Sequence, residues 1–235
     1  MHYRIADLIV EIPEAGGLAP RCKEYLCDSA VGADIVIRAD LFKPELWPNL
    51  CETDAWYLAS GTQFYYLLLS FEGLMLHASA VEYDGKAYLF SGHSGVGKST
   101  HTRLWKNYLG NNVSIINDDK PALRRLDSKW YAYGTPWCGK DGINQNKKVP
   151  LAGICFLKQG TENHISRVAP ASAIEKVLSQ TPHKFANVER LDCLLRNVEK
   201  LVTEVPIFEM VNRPELEAVR MSFETMYNAG KETLF

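Results

Sequence analysis

The chain has 235 residues, 46% hydrophobic and 23% charged, a balance that suits a globular protein with a buried core and excludes a disordered or fibrous one. A formal net charge of −2 leaves no basic footprint for nucleic acid or an anionic membrane. Met1 to Asp7 is charged where a signal peptide needs an apolar stretch, and the longest strongly apolar run, residues 64–71, is too short to span a bilayer.

The six cysteines, Cys22, Cys27, Cys51, Cys138, Cys155 and Cys193, form no Cys-x-x-Cys and no Cys/His spacing suited to zinc, which points to reduced, structural thiols in a cytoplasmic protein. Residues 3–12 and 33–38 are rich in β-branched side chains and predict strands, with loop signals at Gly16-Gly17, Pro20, Pro44 and Pro48. Residues 61–71 are aromatic and leucine-rich and predict a buried helix. Residues 1–72 therefore read as a small N-terminal α+β subdomain, packed without a clear linker on a second unit, residues 73–235.

Residues 75–83 and 86–90 predict two strands joined by Asp84-Gly85, a dipeptide suited to a two-residue hairpin turn. If Tyr83 faces Lys86, the pairing continues until His77 faces Gly92. His77 then either serves a site at that end of the strands or satisfies a local hydrogen bond in the sheet.

Immediately after the second strand comes Gly92-His93-Ser94-Gly95-Val96-Gly97-Lys98-Ser99-Thr100, which fits G-x-x-x-x-G-K-[ST] in full. The glycines let the backbone fold into a nest of inward N–H groups around an anion. Lys98 is a point charge for the outer phosphates, and the Ser99 hydroxyl is a natural Mg²⁺ ligand. Ala87-Tyr88-Leu89-Phe90 leads in as a strand and Thr100-His101-Thr102-Arg103-Leu104-Trp105 leads out as a helix, the setting that anion binding by this motif requires.

A further strand, residues 113–117, ends in Asp118-Asp119. In proteins with such a loop, a carboxylate ending a neighbouring strand holds Mg²⁺ or its water shell. Adjacent side chains on a strand diverge, so one carboxylate can serve the metal while the other faces the acceptor; the alternative is an ordinary Asp-rich turn. Residues 122–125 and 130–133 predict a hairpin around Asp127-Ser128. Residues 134–142 form a glycine-rich loop that either closes over ligands or merely connects. Strands follow at 151–157, 164–168 and 205–211, and helices at 171–179, 188–202 and 214–227, the last with Pro214 near its start. Leu191, Leu194, Leu195, Val198 and Leu201 read as core.

The segment from His77 through Ser99, followed by Ile115-Ile116-Asn117-Asp118-Asp119, resembles the catalytic domain of HPr kinase/phosphorylase, and more distantly the nucleotide core of phosphoenolpyruvate carboxykinase. The resemblance implies an α/β fold: a P-loop nucleotide-binding core with a mixed sheet of that type, followed by a helical C-terminus. It also implies a kinase using ATP or another nucleotide with Mg²⁺, in which Gly92, His93, Ser94, Gly95, Val96, Gly97, Lys98, Ser99 and Thr100 cradle the phosphates. Ser99 and Asp119 would bind the metal, and Asp118 would act as base toward the acceptor hydroxyl, with His77 beside Asp118 to tune it. The relatives are often oligomers. The chain departs from that family in lacking a Glu-Ile-Arg-Gly signature, in reading Gly134-Thr135-Pro136-Trp137-Cys138-Gly139-Lys140 in the corresponding region, and in its short N-terminal region. These departures point away from HPr and toward another hydroxyl-bearing acceptor: a peptide, a protein or a small molecule. A regulatory NTPase is the alternative, although Asn146-Lys147-Lys148-Val149 lacks the aspartate of a guanine-reading motif.

Overall fold

The computed structural model describes residues 1–13, 18–29, 32–182 and 188–232. Its frame is a nine-stranded mixed sheet around β6 (Lys86–Ser91), every residue of which after Lys86 is buried. The side chains of β6 alternate between two cores. Ala87 and Leu89 pack with Ala173 and Val177 of α4 (Pro170–Ser179) and with Leu194, Val198 and Leu201 of α5 (Val188–Glu204). Tyr88 and Phe90 pack with Trp105 of α3 (Lys98–Leu109) and with Val219 and Met226 of α6 (Leu216–Glu232). A strand covered by helices on both faces reads as an unbroken apolar run, as this one does.

The sheet runs β4 (Gly73–Met75), β8 (Ala122–Leu126), β9 (Lys129–Tyr133), β10 (Lys148–Gln159), β6, β5 (Ala78–Tyr83), β7 (Val113–Asn117). β10 is long enough to belong to two sub-sheets: its start pairs antiparallel with β9, and its later residues pair in parallel with β6 and with β12 (Ile207–Asn212). β11 (His164–Arg167) borders β12. The β5–β6 hairpin has Tyr83 opposite Lys86 and Ala78 opposite Ser91, the register that the Asp84-Gly85 turn implies. Both turn residues have positive φ, as do Asp127 and Ser128 in the β8–β9 hairpin.

A second, three-stranded sheet comprises β1 (His2–Ile5), β2 (Leu8–Glu11) and β3 (Ile35–Val36). Its core contains the short α1 (Ala19–Cys22) and α2 (Glu52–Leu68), and runs on into Met75, Ala122, Tyr133 and Trp137.

Several sequence expectations change. The single strand at 3–12 is a hairpin, because Ala6 and Asp7 adopt φ of 53° and 59°. Alanine gives no local signal for such a turn; distant groups hold it, with Arg124 Nη1 donating to Ala6 O at 2.6 Å and Tyr133 Oη and Lys148 Nζ both donating to Asp7 Oδ2. The strand at 33–38 shrinks to two paired residues, and the helix at 61–71 begins at Glu52. The strand at 75–83 breaks after Met75, since β4 pairs with β8 while β5 pairs with β6 and β7. Of the five α5 residues that read as core, Leu194, Val198 and Leu201 are buried, whereas Leu191 and Leu195 lie on the open face, 42% and 43% exposed. Pro214 precedes the helix by two residues rather than opening it. The Gly16-Gly17 loop signal lies outside the described residues. All six cysteines are free, and among the described residues no helix is long and apolar enough to cross a membrane.

Candidate functional site

β5 runs antiparallel to both β6 and β7, so the start of β5 and the ends of β6 and β7 share one edge of the sheet. At that edge the chain places His77, the glycine loop at residues 92–97, and the Asp118-Asp119 turn. The loop leaves β6 at Gly92, where φ is +139° and an added Cβ would stand 2.8 Å from Leu157 O, so this position admits only glycine. It ends at Gly97, the N-cap of α3, whose twelve residues direct the positive end of a helix dipole at the loop. His93, Ser94, Gly95 and Thr100 are exposed, Val96, Gly97 and Ser99 are half-buried, and Lys98 is buried. Lys98 Nζ folds inward and donates to Gly92 O at 2.9 Å and His93 O at 3.2 Å. Burial lowers the Lys98 pKa; the Asp119 charge acts on it in the opposite sense and Lys120 in the same sense.

The two carboxylates have different partners. Asp119 Oδ1 is 2.9 Å from His77 Nε2, and its other oxygen pairs with Lys120 Nζ. Burial alone would raise the Asp119 carboxyl, but His77 and Lys120 outweigh it and hold the group well below the usual carboxylate range. Asp118, 6% exposed, accepts the Gly139 amide at 2.8 Å, and burial lifts its carboxyl above the ordinary value despite that bond. The expected pairing of His77 with Asp118 is thus replaced by a pairing with Asp119. The backbone explains the exchange: Ala78 N donates to Asp119 O and His77 N to Gln180 O, which seats His77 beside the second carboxylate.

The turn is fixed by a residue that sequence reading passed over. Asn117, fully buried, accepts through Oδ1 from the amides of Asp119 (3.0 Å) and Lys120 (2.8 Å) and donates through Nδ2 to Thr135 O (3.0 Å). Thr135 Oγ1 and Tyr65 Oη both donate to Lys120 O, at 2.8 and 2.6 Å. The loop at 134–142 is therefore no loose flap in its first half: residues 134–138 are buried and joined to the carboxylate turn. Its exposed part carries Asp141, which pairs with Arg103 of α3. Lys120 was also missed, and its charge beside Asp119 carries no motif. The available signal was Asn117 itself, an Asx-type residue preceding a turn.

The fold and this edge define a mixed α/β protein with helices on both faces of a mixed sheet and one polar site gathered at the sheet edge. The chain belongs to the ScmC family: residues 58–212, more than half of the chain, match the family described as SynChlorMet cassette protein ScmC. No curated protein matches it. Among solved structures, the Hpr(Ser) kinase/phosphatase from Coxiella burnetii is similar at 11% identity over 67% of this chain and 95% of that one, with a TM-score of 0.35. A likeness this slight carries no residue role across.

Proposed function

We propose that this protein is a Mg²⁺-dependent kinase that transfers a phosphoryl group from ATP to a hydroxyl acceptor. The observation that carries the reading is the meeting, at one sheet edge, of a complete glycine loop with an inward lysine and a carboxylate pair held in two unlike environments. The residues suit a magnesium nucleotide. Gly95 and Gly97 hold positive φ with open space where a Cβ would stand, and the α3 N-terminus stands behind the loop. Among the described residues no group of three or more His, Cys, Asp or Glu forms a metal cage. Mg²⁺ needs none: it is held by one or two protein ligands plus substrate phosphates, and Ser99 and Asp119 would be those ligands. When bound, the metal neutralises charge on the phosphates.

Lys98 and the loop amides bind and orient the donor phosphates. His77 and Lys120 keep Asp119 ionised and fix its direction. Asp118, buried and steadied by the Gly139 amide, accepts the proton of the acceptor hydroxyl. Phosphoryl transfer asks little more of a protein than positioning, charge neutralisation and such a base.

The test is transfer from labelled ATP in the presence of Mg²⁺ to free serine, hydroxylated metabolites, HPr and seryl peptides. Label on an acceptor is the expected result. Label released only as free phosphate would replace the kinase reading with that of a nucleotide-hydrolysing regulator.

A further inference from the structure

Beside the carboxylate turn lies a cavity of about 100 Å³ with aromatic and aliphatic walls. α2 supplies Tyr57, Leu58, Gly61 and Thr62, which share a face by their spacing of three and four residues; Trp137 and Lys120 line it from the other elements. Two of its rings have their polar tips already engaged. Tyr57 Oη donates to Cys138 O at 2.6 Å, and Trp137 Nε1 donates to Ser60 Oγ at 3.1 Å. What these two residues offer the space is therefore ring surface, beside the ammonium of Lys120. Trp137 is fully buried and stacked on Phe64 at 4.8 Å, so that wall is fixed before anything binds. The cavity adjoins the candidate site through two of its own lining residues. Lys120 pairs with Asp119, and the loop bearing Trp137 delivers the Gly139 amide to Asp118.

We propose that this cavity is the acceptor pocket, and that it takes an aliphatic arm of valine or leucine size carried beside the hydroxyl that is phosphorylated. The hydroxyl rests on the kinase reading; the arm rests on the cavity. The volume favours a small arm. About 100 Å³ falls short of the ~150 Å³ cavity that encloses benzene, so a branched aliphatic group matches the space better than an aromatic ring. Charge selects against a basic arm, since the Arg21 guanidinium and the Lys120 ammonium already stand 4.9 and 5.8 Å from the Tyr57 ring centroid.

The experiment measures binding and transfer separately. Short amidated peptides with one serine flanked by Gly, Val, Leu, Phe or Lys, and the free alcohols N-acetyl-alaninol and N-acetyl-leucinol, are titrated by tryptophan fluorescence with Mg²⁺ and a non-hydrolysable ATP analogue. The same compounds are then offered with labelled ATP. Leucine- and valine-flanked serine should bind at least about tenfold tighter than glycine-flanked serine, the gain a filled apolar pocket gives. A matching preference for N-acetyl-leucinol over N-acetyl-alaninol, without one among the peptides, supports the pocket with a free alcohol as its occupant. Thr62→Trp, which fills the cavity, should erase the preference; Leu58→Ala, which enlarges it, should move the preference toward phenylalanine, so a misfolded first variant leaves the second to decide. Equal binding of arm-bearing and arm-less acceptors, or a preference untouched by either substitution, overturns the pocket. Binding preference without transfer to any acceptor leaves the pocket standing and removes the kinase reading; transfer without preference does the reverse.

Discussion

His77 Nε2 lies 2.9 Å from Asp119 Oδ1, while the neighbouring Asp118 turns away to the Gly139 amide. Consecutive side chains leaving a strand diverge, and here the divergence gives adjacent carboxyls opposite electrostatics. Asp119, between an imidazole and an ammonium, stays anionic; Asp118, buried with one amide donor, holds a proton more readily. His77 is then a positioning residue for the proposed metal ligand. His77→Ala should raise the Mg²⁺ concentration for half-maximal transfer by about 10–100-fold, the usual cost of losing a group that orients a ligand, and His77→Gln, which keeps a donor, should recover most of it. A magnesium titration unchanged by His77→Ala would remove that role.

Lys98 anchors the other half of the site. Its ammonium rests on the Gly92 and His93 carbonyls inside the loop, where an anion would be met by charge and by amide dipoles together. Lys98→Ala should weaken Mg-ATP binding by at least about tenfold, in line with the loss of one charge-assisted contact to phosphate. Its melting temperature without nucleotide should stay close to that of the unchanged protein, because a costly buried cation has been removed. Equilibrium dialysis and a thermal scan check the two halves, and unaltered nucleotide affinity would count against the loop as the donor site.

The Ala6-Asp7 turn gives a prediction about stability. Arg124, 7% exposed, donates to Ala6 O at 2.6 Å and to Phe71 O at 3.1 Å. Arg124→Met leaves both carbonyls without that donor and should cost about 1–3 kcal/mol in urea unfolding. Asp7 adds a pH-dependent part. Burial alone would raise its carboxyl, but hydrogen bonds from Lys148 and Tyr133 prevail and lower it. A lowered folded-state pKa stabilises above the unfolded value of 3.8, and the gain is lost as pH falls from there through the folded value. The group is partly exposed, so Asp7→Asn should cost no more than about 1 kcal/mol at neutral pH, and its urea midpoint should draw steadily closer to that of the unchanged protein as pH falls below 3.8. A gap that does not narrow below that pH would assign the effect to packing.

What the sequence discloses here is whatever a short window encodes. The loop at 92–99, the hairpin turn at Asp84-Gly85 and the Asp118-Asp119 ending of β7 each carry a local pattern, and the hairpin register then follows by counting. The Ala6-Asp7 turn has no local pattern because its determinants, Arg124 and Tyr133, are 118 and 126 residues away. The Asn117–Thr135–Tyr65 hub is hidden for the same reason: an asparagine ending a strand predicts a turn, but not which loop it will hold. Strand spacing fixes which residues share an edge, but which carboxylate His77 meets depends on the backbone bonds from Ala78 and His77.

Gly139 offers a direct test of Asp118. An added Cβ there would stand 2.8 and 2.9 Å from the two Asp118 oxygens, closer than real contacts allow, so the carboxylate must shift. The backbone at Gly139 has no positive φ, and alanine is otherwise acceptable at that position. Gly139→Ala should therefore lower the transfer rate by about 10–100-fold, the scale set by ångström misplacement of a reacting group. Mg-ATP affinity should stay within about threefold, since Lys98 and the loop amides are untouched. Asp118→Asn alone should lower transfer by about 10²–10⁴-fold with nucleotide binding kept, the range for loss of a general base. The two changes act through one group, so they should not add: in the Asp118→Asn background, Gly139→Ala should produce little further loss. Steady-state rates for the four proteins of this cycle decide the matter. Full additivity would mean that Gly139 acts elsewhere, and a Gly139→Ala rate equal to that of the unchanged protein would mean that the carboxylate seen against this amide is not held there for transfer.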